Sequence, residues 1–78
     1  PIRGLPDRMR KSRKNAGYSI RKVAKELGIT HSAYYNYEIG LSEPCLSALV
    51  KISTLFKVST NYLLGIRNSE NFQTEEEG

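Results

Sequence analysis

Residues 20–39 read IRKVAKELGITHSAYYNYEI, and this stretch decides the fold. It predicts two short helices, roughly 20–27 and 31–39, joined by Gly28, Ile29 and Thr30. A glycine just past a helix end takes the left-handed conformation without a Cβ penalty, so Gly28 stops the first helix. The Thr30 hydroxyl can accept from an otherwise unpaired N–H of the next helix, which makes it a good cap. So short a turn sets its helices at a steep angle, the helix-turn-helix geometry.

The apolar spacing agrees. Val23, Ala24 and Leu27 share one face, and Tyr34 and Tyr37 are three residues apart on the second helix. Ala24 is small where the two helices approach, and Ile29 can plug the space under the turn. With Tyr34 and Tyr37 turned inward, the opposite face carries His31, Ser32, Tyr35 and Asn36. These are mostly hydrogen-bonding groups, with no acid and no long aliphatic chain. Such a face suits base edges in a major groove.

The 78 residues make one small domain with a modest core, which favours an all-helical fold. No apolar run approaches membrane-spanning length, and no signal-peptide pattern is present. The single cysteine, Cys45, excludes an internal disulfide framework and a multi-cysteine zinc site. The expectation is a soluble cytoplasmic protein without a cofactor. Charge is unevenly spread: residues 1–30 hold nine Lys/Arg against two acids, and residues 31–78 hold three against six. The basic half points to an acidic partner, for which a nucleic acid backbone is the common case; a merely solvated lysine-rich helix is the alternative.

Taken in order, residues 1–5 form an N-terminal arm, expected to fray or to carry Arg3 along a nucleic acid. A first helix is predicted from Pro6 or Asp7 to Asn15, with Leu5, Met9, Ser12 and Ala16 inward. One or two of its basic residues are expected at phosphate, Arg13 among them. Ser19 caps the second helix. After Gly40 and the loop Leu41-Ser42-Glu43-Pro44, a fourth helix is expected over 45–56. Leu46, Leu49, Val50, Ile52, Ser53 and Phe56 are its buried stripe. Ser59 caps a last helix, 60–64, whose Tyr62 and Leu63 close the core. Residues 66–78 read as an acidic tail or linker, open to a protein partner. The folded domain is thus 6–65.

One set of residues recurs in this order and spacing in a known family. It comprises Arg8-Met9-Arg10, Arg13, Gly17-Tyr18-Ser19, Val23-Ala24, Leu27-Gly28-Ile29-Thr30 and Tyr37-Glu38-Ile39-Gly40. Pro44-Cys45-Leu46, Leu49, Lys51-Ile52 and residues 58–64, VSTNYLL, complete it. Together they resemble the phage repressor and Cro-like (XRE-type) helix-turn-helix family over residues 5–64. The resemblance implies an all-α, five-helix domain of the lambda-repressor-like type, with residues 30–39 as the recognition helix. It implies base contacts from His31, Ser32, Tyr35 and Asn36. It implies phosphate contacts around Ser19, Arg21, Lys22 and the loop near Ser42, with Arg13 and the Thr30 cap also assigned to phosphate. The chain departs from the family at Ile20, usually glutamine, at Tyr34 and Tyr37, usually aliphatic, and at Ser12, usually leucine.

Single residues divide between roles. Asn36 matches the bidentate geometry of adenine, and Tyr35 can stack on sugar, bond a phosphate or meet a thymine methyl. Glu38 reads as structural, pairing with a first-helix arginine such as Arg13, because an acid facing phosphate is repelled. Cys45 reads as packed at a helix start. No catalytic constellation is visible, so an enzyme is not expected. The expected function is a sequence-specific, double-stranded-DNA-binding transcriptional regulator, a repressor by preference, acting as a homodimer through residues 58–66. An antitoxin-type protein-interaction module of the same fold is the competing reading.

Overall fold

The computed structural model describes residues 2–66; Pro1 and the acidic segment 67–78, including the tail read above as a possible partner site, lie outside them. Five helices follow one another: α1 (Leu5–Ala16), α2 (Ile20–Leu27), α3 (His31–Glu38), α4 (Leu46–Phe56) and α5 (Thr60–Leu64). Their ends are fixed by local chemistry. Ser19, Thr30 and Ser59 accept from the backbone N–H groups of Lys22, Ala33 and Tyr62, satisfying one orphan donor at each helix start. Gly28 at φ 73° ends α2, and the Ile29 N–H returns to the Ala24 carbonyl at 3.0 Å, which turns the chain into α3.

α1 packs against α3, α4 and α5, and α2 packs against α3 and α4. The core between them holds Leu5, Met9, Val23, Ala24, Tyr34, Leu49, Ile52, Phe56 and Leu63. Tyr34 is fully buried and Tyr37 packs on the core beside it, with the two rings edge to face at 6.0 Å. The inward orientation of these phenols is therefore as the sequence reading required.

Several expectations at the edges are corrected. α1 starts at Leu5, one or two residues early, because Leu5 is itself buried and Gly4 caps the helix. Ala16 is exposed instead of inward. Leu46 and Val50, expected in the buried stripe of α4, are 81% and 55% exposed. They lie four residues apart on a side of α4 that the described residues leave largely uncovered. Tyr62 is 41% exposed, and α5 contributes the buried Leu63 to the core with Leu64 packed partly against it. Cys45 caps α4 from an exposed position instead of packing. The arm is tied down: the Ile2 N–H donates to the Glu43 carboxylate, and the Arg3 carbonyl accepts from Arg8 at 2.8 Å.

Candidate nucleic-acid interface

α3 presents the face predicted for it. His31, Ser32 and Tyr35 are exposed, and Asn36 is half-buried beside them. The helix is held from behind by Tyr34, so the outer face is presented by a rigid element. At its C-terminal end the Asn36 carbonyl accepts from the N–H groups of Leu41 (2.9 Å) and Ser42 (3.3 Å). That clasp fixes residues 40–43 at the end of the helix, with the Ser42 side chain exposed.

The two caps have a second chemical capacity. Ser19 Oγ and Thr30 Oγ1 each accept from a backbone N–H, at 3.1 and 3.0 Å. Their own O–H groups remain able to donate outward, as does the first N–H of each helix. A helix N-terminus carrying such donors favours an anion. Neither α2 nor α3 has an acid in its first turn. Arg21 and Lys22 are exposed next to the Ser19 cap. Lys22 reaches Glu26 at 3.2 Å, a solvent-exposed pair that contributes little and is readily exchanged for another anion.

Arg13 does not belong to this surface. Its Nε donates to Glu38 Oε2 at 2.7 Å, Nη2 to Glu38 Oε1 at 3.1 Å, and Nη1 to the Tyr18 carbonyl at 2.9 Å. All three nitrogens are used and the side chain is buried, so the phosphate contact assigned to it is withdrawn. The hydrogen bonds to Glu38 hold the guanidinium above its ordinary pKa, against the opposing effect of burial. The expected structural role of Glu38 is observed. The Tyr34 hydroxyl lies buried near this pair and forms no hydrogen bond among the described residues. Its pKa is pushed far up, first by burial and then by the neighbouring Glu38 carboxylate.

The sequence reading missed Arg8. Its Nε donates to the Leu63 carbonyl at 2.9 Å while Nη2 holds the Arg3 carbonyl. The guanidinium lies between Gly4 and Gly65, where an added Cβ would stand 2.4 and 2.6 Å from its nitrogens. Only the juxtaposition of distant segments reveals this role, since nothing local distinguishes Arg8 from its basic neighbours. Through Ile2 and Glu43 the arm also reaches the loop after α3.

Among the described residues no helix is long and apolar enough to cross a membrane, and no group of three or more metal-ligating side chains gathers. Residues 9–63 match the helix-turn-helix family model. Over 58 residues the chain is 47% identical to the SPbeta prophage-derived HTH-type transcriptional regulator YonR of Bacillus subtilis, covering 74% of this chain and 54% of that protein. It is 39% identical over 61 residues to the HTH-type transcriptional regulator ImmR of the same organism, covering 78% and 48%. It is 40% identical over 70 residues to YqaE, another HTH-type transcriptional regulator of that organism, covering 88% and 60%. The chain thus spans about half the length of the curated relatives it matches. With the family model covering α2, the turn and α3 without interruption, this chain belongs to the helix-turn-helix family.

Proposed function

We propose that this chain is the DNA-binding unit of a transcriptional regulator, reading double-stranded DNA with α3 in the major groove. The observation that carries the reading is the outer face of α3. His31, Ser32 and Tyr35 stand exposed with Asn36 beside them, and Tyr34 locks the helix from behind. The Asn36 amide suits an adenine edge, and His31 and Ser32 suit neighbouring bases or phosphates. Tyr35 adds either a hydrogen bond or contact with sugar or a thymine methyl.

Phosphate contacts are assigned to Ser19, Arg21, Lys22, Thr30 and Ser42, with Arg3 joining them from the arm. These groups supply affinity that is blind to sequence and sensitive to salt, while the α3 face supplies discrimination. One module of this size makes few base contacts. A homodimer on a near-palindromic site, with half-sites about one helical turn apart, is the natural arrangement. The exposure of Tyr62 and Ile66, in and just beyond α5, supports that region as the dimer surface. The names of YonR and ImmR as transcriptional regulators support regulation as the outcome, and repression is the sign proposed.

The test is selection of bound duplexes from a random pool, followed by titration of the selected site at rising salt. A symmetric motif with spaced half-sites and an affinity falling steeply with salt is expected. Absence of duplex binding even at ~50 mM salt would overturn the reading and favour a protein-interaction module.

A further inference from the structure

Residues 26–50 hold no lysine or arginine, although the chain carries 12. This gap takes in the turn before α3, α3 itself and the loop after it. The cations that bound it, Lys25 and Lys51, stand on α2 and α4. The positive charge of the chain is therefore kept off the element whose outer face meets base edges.

That omission bears on which base pairs α3 can read. Arginine or lysine on the O6 and N7 acceptors of guanine is the commonest specific contact in the major groove. α3 offers neither residue. Cytosine presents an N4 donor, which a carboxylate reads. The one acid of α3, Glu38, is 4% exposed, and both of its oxygens accept from Arg13. Glu43, in the following loop, accepts from the Ile2 N–H. The outer face of α3 thus presents none of the charged groups that recognise a G·C pair.

The groups it does present favour the other pair. The Asn36 amide sets a donor beside an acceptor, which matches adenine N7 and N6. Against guanine its oxygen would meet O6, a second acceptor. Tyr35, 46% exposed, carries a ring that can lie against a thymine methyl. His31 and Ser32 do not decide between pairs, because N7 is common to both purines and a hydroxyl serves either.

We propose that the half-site is A·T-rich where α3 meets it, with Asn36 on an adenine and Tyr35 on a thymine methyl. This rests on α3 being the major-groove element and adds the class of sequence it selects.

Selection by the wild-type chain from random duplexes is the first test, and enriched half-sites are expected to be rich in A·T. Base analogues then probe the most enriched duplex one position at a time. An adenine analogue with carbon in place of N7 should weaken binding roughly tenfold at one position, and uracil for thymine roughly threefold at another. Asn36→Ala should lose the first sensitivity and Tyr35→Ala the second. Asn36→Arg should move the preference at its pair from A·T to G·C. The analogue scan on the wild-type chain decides the matter if a variant does not fold. Half-sites dominated by G·C, wild-type binding indifferent to both analogues, or full sensitivity to the adenine analogue in Asn36→Ala would overturn the proposal while leaving DNA binding in place. Absence of any duplex binding would overturn it together with the reading on which it rests.

Discussion

Arg13 and Glu38 face each other through two hydrogen bonds, 2.7 and 3.1 Å long, and join α1 to the last residue of α3. Both side chains are buried. Removing one partner strands the other charge away from water. Arg13→Met is therefore expected to cost ~3–5 kcal/mol, and Arg13→Met combined with Glu38→Leu to recover much of it. Urea denaturation of the two single variants and the double variant checks this. Additive losses would mean the pair is not coupled.

The same pair separates two kinds of arginine and lysine in binding experiments. Lys22→Ala should lower the slope of log affinity against log salt by about 1, acting equally on all sequences. Under conditions where it is folded, Arg13→Met should leave that slope unchanged, because its guanidinium is committed inside. A reduced slope for Arg13→Met would return Arg13 to the phosphate surface.

Asn36 is predicted to discriminate. Asn36→Ala should cost ~1–3 kcal/mol on the selected site and relax preference at one base pair. Binding of a panel of single-base variants measures it. Uniform weakening across the panel would assign Asn36 to the backbone instead.

Tyr34 gives a pH prediction. Burial raises its folded pKa above its unfolded value near ~10, so the native state keeps a proton that the unfolded chain loses. The stabilisation is fully present below that pH and declines as pH rises beyond it. Tyr34→Phe removes this alkaline decline. At neutral pH the same change should be neutral or stabilising by about 1 kcal/mol, since the lost hydroxyl has no partner among the described residues. Thermal unfolding across pH reads both effects, and a marked loss at neutral pH would reveal a hydrogen bond to that hydroxyl.

Gly28 and Gly65 both sit at positive φ, but only Gly65 is pressed against another side chain. Gly28→Ala should cost ~1–2 kcal/mol from backbone strain alone. Gly65→Ala should cost more, because it also pushes Arg8 off the Leu63 carbonyl. In an Arg8→Ala background that excess should vanish, which a double-mutant cycle of melting curves would measure.

The helical framework was legible because its signals are local. Ser19, Thr30 and Ser59 announce helix starts, and Gly28 marks the end of α2. The pairing of Tyr34 with Tyr37 at helical spacing told which side of α3 is hidden, and with it the candidate reading face. Errors arose where burial depends on a distant neighbour. Leu46 and Val50 fit an apolar stripe, yet among the described residues their side of α4 is left largely exposed. Arg13 and Arg8 look like their basic neighbours until α3 and α5 bring Glu38 and the Leu63 carbonyl to them. The left-handed backbone at Lys57 carries no mark in the sequence, since lysine is an unusual choice there.

Arg8 grips the carbonyls of Arg3 and Leu63 with one planar group. The first and last turns of the folded unit are thereby anchored to a common hub. A segment fused ahead of Ile2 and another fused behind Ile66 would set out as neighbours, so load applied at either end pulls on the same guanidinium.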